Sequence, residues 1–246
     1  MPVPQRIVLV GASSGIGAAL AVELAAPGRA LALVARRRTE LDAVAAQVRA
    51  KGATAHVELW DATDADADAS FANCIAALGG VDTVVYSAGV LPAVRLDEFD
   101  TAKDSQVVQV NVIGAMAWLN PAARTLSAQG YGTICGIGSV AGDRGRRPNP
   151  AYGASKAALH TFLESLAHRL GPRGVAVVTI KPGPIATPMT ADHGNPPLMI
   201  PADVAARRIA KAIARGERIV YVPAAWRAIM AVFKCMPWFL FKRFPK

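Results

Sequence analysis

The sequence predicts an α/β domain built on a buried parallel sheet, and three observations predict it. The hydrophobic residues, 52% of the 246, are mostly Ala, Val, Leu and Ile, and only 6% of the chain is aromatic. That mixture suits buried strands alternating with helices better than a β-sandwich. Short, uniformly apolar runs, typical of strands covered on both faces, alternate along the chain with segments of helical periodicity. The first of these runs passes directly into a glycine-rich turn and then a helix. The length suffices for one large domain or two small ones, and the apolar content supplies a core, so disorder is not expected.

Residues 7–10 form the first apolar run and lead into Gly11-Ala12-Ser13-Ser14-Gly15-Ile16-Gly17. Residues 18–26 follow as a helix, with Ile16, Leu20 and Leu24 at helical spacing and Pro27-Gly28 ending it. In such a context glycines let the backbone approach a pyrophosphate, and the free amides of the helix N-terminus bind it. The turn is therefore a candidate dinucleotide site. Residues 30–34 are the next strand and end in Ala35-Arg36-Arg37-Arg38. An NAD-selective site has a carboxylate there for the ribose 2′-hydroxyl. This chain has none, and Arg36 and Arg37 offer charge for a 2′-phosphate instead, which points to NADP(H). Cations are unfavourable at the positive end of a helix dipole, so these arginines either serve a ligand or begin a solvated basic helix.

Leu41, Val44, Ala45 and Val48 mark a helix, Thr54–Leu59 a strand, Phe71, Cys74, Ile75 and Leu78 a helix, and Thr83–Tyr86 a strand. Asp61, directly after its strand, is placed to accept from an adenine amino group. The run Asp61, Asp64, Asp66 and Asp68 reads as a solvated helix start. Ser87-Ala88-Gly89 ends the fourth strand with a glycine where a cofactor can come close. Residues 100–129 read as one long helical region in which Asn111 is isolated among valines; a buried Asn must be paired, and it serves either a helix kink or catalysis. Residues 132–138 form the fifth strand and deliver Ser139 at its C-terminal end, the edge where open α/β sheets bind ligands.

Tyr152 and Lys156, at i and i+4 of a helical pattern, leave the same face and can meet one reacting atom. Leu159, Phe162, Leu163, Leu166 and Leu170 give that helix a buried stripe. A phenol with a pKa near 10 needs a neighbouring cation to favour its phenolate at neutral pH, a role open to Lys156. Taken alone, such a pair on a helix is more often a packed ring and a solvated charge.

Gly11-x-x-x-Gly15-x-Gly17, Ser139 and Tyr152-x-x-x-Lys156 occur in order and at the right separations, and over residues 6–222 the chain resembles the short-chain dehydrogenase/reductase family. The resemblance implies a doubly wound Rossmann fold, with a seven-stranded parallel sheet in the order 3-2-1-4-5-6-7, helices on both faces and a C-terminal helical tail. Residues 1–224 would be the dinucleotide-binding and catalytic domain and residues 225–246 an amphipathic tail. In this family Tyr152 would be the general acid/base, Lys156 would lower its pKa and bind the nicotinamide ribose, Ser139 would hold the substrate oxygen, and Asn111 would maintain a water relay to Lys156. The cofactor would lie against Gly11, Ser13, Ser14, Gly15, Ile16, Gly17, Arg36, Arg37, Asp61, Ala88, Gly89, Tyr152 and Lys156. After the apolar strand of residues 175–180, Pro182, Gly183, Ile185 and Thr187 match the segment that meets the nicotinamide carboxamide. Two positions depart from the pattern: Ser87 stands where the family usually has Asn, and Val10 where a Thr commonly precedes the first glycine.

The implied activity is hydride transfer between NADP(H) and a ketone or secondary alcohol, in a homodimer or homotetramer. A non-enzymatic NADP-binding regulatory protein is the competing class, and the complete Asn111/Ser139/Tyr152/Lys156 set argues against it, because a sensor needs no proton donor.

The loop Ala141-Gly142-Asp143-Arg144-Gly145-Arg146-Arg147-Pro148-Asn149-Pro150 lies beside the active site in this family. Its arginines either meet an anionic substrate group or are ordinary loop charges. Residues 188–201, with Met189, His193 and Met199, are expected to form a substrate lid. Beyond Val222 the apolar residues Trp226, Ile229, Met230, Val232, Phe233, Met236, Trp238, Phe239, Leu240, Phe241 and Phe244 interleave with Arg227, Lys234, Lys242, Arg243 and Lys246, and no acid follows Glu217. Lys234 and Pro237 interrupt this run, which is too short to span a bilayer core of ~30 Å. It either lies among lipid headgroups as a peripheral contact or packs on the pocket or a dimer mate. The tail and residues 142–147 also look like those of decaprenylphosphoryl keto-pentose reductases, which implies, as a narrower alternative, a lipid-linked keto-sugar phosphate as substrate.

The formal charge of +9 comes from scattered Arg and Lys, so nucleic acid is not expected. Cys74, Cys135 and Cys235 are far apart, and the four histidines have no ligand spacing, so neither a disulfide framework nor a metal site is expected. No secretion signal opens the chain, and a cytoplasmic place fits the cysteines; the tail adds the option of the inner membrane face.

Overall fold

The computed structural model describes residues 5–64, 66–194 and 196–243, and every side chain among them except that of His193. Phe244 and Lys246 of the tail lie outside the described residues. The chain begins β1 (Arg6–Val10), α1 (Gly15–Leu24), β2 (Ala30–Ala35), α2 (Arg38–Ala50), β3 (Thr54–Leu59), α3 (Asp68–Leu78) and β4 (Thr83–Tyr86). It continues α4 (Thr101–Val108), α5 (Gly114–Gln129), β5 (Gly132–Ile137), α6 (Pro150–Leu170), β6 (Val175–Pro182), β7 (Ile185–Ala186), β8 (Ile200–Pro201) and α7 (Ala202–Arg215). It closes with β9 (Ile219–Val222), α8 (Ala225–Cys235) and α9 (Trp238–Phe241).

Seven strands form one parallel sheet in the order β3-β2-β1-β4-β5-β6-β9, while β7 and β8 pair apart. Alternation along each strand divides the core into two layers. Ile7 and Leu9 of β1 face α1, α2 and α7, where they meet Leu20, Leu41, Val44 and Ile209. Val8 and Val10 face α3, α5 and α6, where they meet Phe71, Trp118, Leu126 and Leu163. Each such side chain, removed fully from water, contributes about 1.5–3 kcal/mol, which is why strands buried on both faces carry no polar alternation. The fold is the doubly wound α/β architecture that the resemblance implied.

Local chemistry shifts several boundaries. Helix α1 starts at Gly15, so the glycine turn itself supplies the helix N-terminus. The region 100–129 is helical throughout but not uniform: Asp100 caps α4 by accepting from Ala102 N at 2.8 Å and Lys103 N at 3.2 Å, and a π turn over Gln109–Ile113 separates α4 from α5. The wider turn frees the Val110 carbonyl, which accepts from the buried Tyr86 hydroxyl at 2.6 Å. Of the acidic run only Asp68 belongs to α3. Asp61, Asp64 and Asp66 instead accept from the amides of Thr63, Asp66 and Asp68 at 2.9, 3.1 and 2.9 Å, making successive side-chain turns. Among the described residues no helix is long and apolar enough to cross a membrane.

Candidate active site

The C-terminal ends of β1, β2, β4, β5 and β6 converge on a cleft of about 290 Å³. Its lining includes every residue singled out above for the cofactor, together with Ser139; Asn111 stands behind the wall. Val10, Ala35, Trp60, Ser87, Val90 and Gly138 are also among the wall residues, and Pro188, Met189 and Thr190 of the expected lid border its mouth.

The glycines are explained by the space they leave. Gly11 has φ +84°, and a Cβ there would stand 2.7 Å from Ala88 Cα. On Gly17 a Cβ would stand 2.9 Å from the Gly11 carbonyl carbon and overlap its oxygen. The turn can close, and the N-terminal amides of α1 can face the cleft, only without those side chains. The site therefore fits a dinucleotide pyrophosphate.

At the far end, Arg37 donates from Nη2 to Ser13 Oγ at 3.1 Å and pairs with Glu40 at 3.0 Å. Arg36 stands 4.0 Å from Asp61. The Glu40 pair relieves part of the unfavourable charge at the start of α2. Asp61 accepts from both Thr63 N and Thr63 Oγ1 through Oδ1, and those bonds hold its pKa below the ordinary carboxylate value. One carboxylate oxygen is thus already engaged, and Oδ2 faces Arg36.

Four polar residues meet at the other end. Lys156, 4% exposed, donates to the Ile137 carbonyl at 2.9 Å, and burial lowers its pKa to about 8. Its Nζ lies 5.7 Å from the centre of the Tyr152 ring. Burial raises the Tyr152 pKa, while a hydrogen bond with Ser139 and the charge of Arg146 act in the opposite sense. Ser139 Oγ accepts from Ala141 N at 3.1 Å, which leaves its own hydroxyl proton to be directed at the Tyr152 phenol or a ligand. Asn111 is fully buried in the π turn: Oδ1 accepts from Val90 N at 2.8 Å, and Nδ2 donates to Val90 O at 3.1 Å and Ser155 Oγ at 3.0 Å. A Cβ on Gly89 would stand 3.2 Å from Asn111 Oδ1 and 3.4 Å from Lys156 Nζ, so both groups pack close against that glycine.

Tertiary contacts add residues that spacing alone did not single out. Asp143 accepts from Lys181 at 2.5 Å and from the Tyr221 hydroxyl at 2.6 Å, and His160 stands beside it. A signal existed for His160, which continues the four-residue step of Tyr152 and Lys156. Gly183 admits the Trp226 ring of α8, whose Cε2 would lie 2.6 Å from a Cβ there. Of the loop arginines, Arg144 donates to the carbonyls of Phe233 and, at 2.6 Å, Met236, and stacks 3.9 Å over Phe241. Arg147 donates to Lys242 O at 3.0 Å. Arg146, by contrast, makes no hydrogen bond or ion pair among the described residues; it is an exposed residue, yet desolvation lowers its pKa and its charge reaches the Tyr152 phenol.

Residues 5–197 match the short chain dehydrogenase family. The chain is 33% identical over 242 residues to an uncharacterized oxidoreductase of Mycobacterium tuberculosis, covering 98% of this chain and 97% of the relative. It is 32% identical over 241 residues to an uncharacterized oxidoreductase of Streptomyces coelicolor, covering 98% and 96%. Among solved structures, a short-chain dehydrogenase from Sphingobium yanoikuyae in complex with NADPH is similar at a TM-score of 0.81 and 25% identity, covering 98% of this chain and 96% of that one. A short-chain type dehydrogenase/reductase from Mycobacterium ulcerans is similar at 0.81 and 25%, covering 89% and 88%. With the family match spanning residues 5–197 and the relatives covering nearly the whole chain, the chain belongs to the short chain dehydrogenase family, as an oxidoreductase acting on CH–OH groups.

Proposed function

We propose that this protein is an NADPH-dependent reductase of a ketone, with Tyr152 as the proton donor. The observation that carries the reading is the meeting of Ser139, Tyr152 and Lys156 at one end of a cleft whose other end has glycines for a pyrophosphate and arginines for a 2′-phosphate. NADPH, when bound, supplies hydride to the carbonyl carbon. Ser139, its oxygen already anchored by Ala141 N, donates its hydroxyl proton toward the substrate oxygen in place of the Tyr152 phenol. Tyr152, kept protonated by burial, gives its proton to that same oxygen as charge develops there. Lys156 has two further N–H groups for the nicotinamide ribose, and its charge favours the phenolate left behind. Asn111, locked to Val90 and packed with Lys156 against Gly89, would maintain the water relay that returns the proton. Arg36, Arg37 and Ser13 support NADPH over NADH.

Tyr152→Phe decides the matter. NADPH consumption should be followed against a panel of ketones and fractionated lipids, with NADPH binding measured alongside. Retained binding with reduction abolished supports the reading, and undiminished reduction in the variant rejects it. A purely regulatory protein would bind NADPH and reduce nothing, with or without Tyr152.

The substrate reading narrows on two observations. Arg146, without a hydrogen bond or ion pair among the described residues and with its charge reaching Tyr152, favours a ketone carrying an anionic group. The tail packs through Met230 and Phe241 yet leaves Val232, Trp238 and Phe239 at least 60% exposed, next to Lys234, Lys242 and Arg243. Such a surface favours peripheral contact with an anionic membrane and an amphiphilic substrate drawn from it. Co-sedimentation with anionic vesicles at low salt tests this: loss of binding on replacing Trp238 and Phe239 with Ser supports it, and no binding by the intact chain rejects it.

A further inference from the structure

Beneath Ser139 lies a cluster of buried polar side chains that proton donation does not use. His160 stands on α6 one step beyond Lys156, so Tyr152, Lys156 and His160 follow one helix face. Its imidazole fits between two glycines: a Cβ on Gly138 would lie 2.7 Å from Cδ2, and one on Gly142 would lie 2.7 Å from Cε1. Nε2 accepts the Ser139 peptide N–H at 3.4 Å, and among the described residues that N–H has no other acceptor. Nδ1 faces Asp143 Oδ1 at 3.7 Å. Asp143 is enclosed, with its side chain 1% exposed, and takes both the Lys181 ammonium and the Tyr221 hydroxyl.

A nitrogen that accepts cannot carry the proton, so the neutral imidazole is protonated on the side of Asp143. Burial is the main cause that pushes the His160 pKa down to about 3, and Lys181, Lys156 and Lys234 add to it against the opposing pull of Asp143. The ring therefore stays neutral at any working pH, and its lone pair stays available to Ser139. Four segments remote in sequence, the loop after β5, α6, β6 and β9, contribute one side chain each to this arrangement.

We propose that His160 is a positioning residue for Ser139, held in one tautomer by Asp143 and, through it, by Lys181 and Tyr221, and that this chain of contacts fixes the direction in which the serine hydroxyl meets the substrate oxygen. The inference rests on the reading of Ser139 as the residue that holds that oxygen. With Oγ tied to Ala141 N and the peptide N–H tied to His160, the residue is pinned from two sides. Without the imidazole one pin is lost and the hydroxyl can swing.

The test uses the full chain with nitrogen-labelled histidine. The His160 signals should show an unprotonated Nε2 and a protonated Nδ1 unchanged between about pH 5 and pH 9. His160→Phe, which keeps a ring but removes the acceptor, should speed hydrogen exchange at the Ser139 amide about tenfold. His160→Gln, which restores an acceptor, should recover most of that protection, and NADPH affinity should stay within about twofold in both. With an activated aromatic vicinal diketone as probe, kcat/KM should fall about tenfold in the Phe variant and recover in the Gln variant. A protonated Nε2, or Ser139 exchange unchanged in the Phe variant, would overturn the proposal. Those results are independent of turnover, so they are distinguishable from failure of the reductase reading, which Tyr152→Phe alone decides.

Discussion

Replacing Lys156 with Met should make the cofactor-free protein more stable, although it removes a residue of the proposed active site. Lys156 is 4% exposed, with one acceptor among the described residues, the Ile137 carbonyl at 2.9 Å. Burial lowers its pKa from 10.5 to about 8. Between those values the unfolded chain holds a proton that the folded chain has released, so this residue makes stability rise with pH from about 8 to 10.5. Below about pH 8 both states are protonated and the folded state bears the whole penalty, on the order of 3 kcal/mol for a difference of this size. Met has no charge to desolvate and an unbranched, adaptable side chain, but it gives up a hydrogen bond of ~1 kcal/mol. The net gain at pH 7 is then about 2 kcal/mol, or roughly 4–8 °C in Tm for a domain of this length. Denaturant and thermal unfolding of both cofactor-free proteins from pH 7 to about pH 10 measure it. Cys74, Cys135, Tyr86 and Tyr221, whose pKa values burial raises, impose the opposite slope above about pH 9, but they are common to both proteins and cancel in the difference. The advantage of the variant should shrink as pH rises past 8. A variant less stable than the parent at pH 7, or an advantage independent of pH, refutes the reasoning.

Three further outcomes are expected. NADPH should bind at least about tenfold more tightly than NADH, about 1.4 kcal/mol, and Arg36→Ala or Arg37→Ala should remove most of that preference while leaving NADH affinity nearly unchanged; titration of both dinucleotides at one ionic strength checks it. Gly17→Ala should destabilise the fold by about 1–3 kcal/mol and weaken binding of both dinucleotides alike, because its Cβ would displace the Gly11 carbonyl of the pyrophosphate turn; calorimetry and the same titrations read both effects. Arg144→Ala should release the tail, because Arg144 bonds the carbonyls at the end of α8 and stacks on Phe241; faster proteolytic cleavage near residues 236–243 with the main domain intact would show it, and unchanged cleavage would not fit.

The sequence by itself determined the layered α/β fold, because the information is local. Residues 7–10 are uniformly apolar, and only a strand covered on both faces requires that. The cradle was legible in the same way, since Gly11 and Gly17 sit a fixed distance from a strand end and no other residue fits there. Tyr152 and Lys156 share a helix face by periodicity alone. The tertiary structure decided the environments of these residues. Asn111 could be read as isolated and in need of partners, but not as bonding Val90 and Ser155 across a π turn. Three arginines within four positions of one loop look equivalent as sequence, yet the fold sends Arg144 and Arg147 to the tail and leaves Arg146 beside Tyr152. The Asp143, His160, Lys181 and Tyr221 cluster was not legible as a unit, because its members come from four segments joined only when the sheet closes. Periodicity fixes which face a side chain leaves from; desolvation and pairing depend on what the rest of the chain brings to that face.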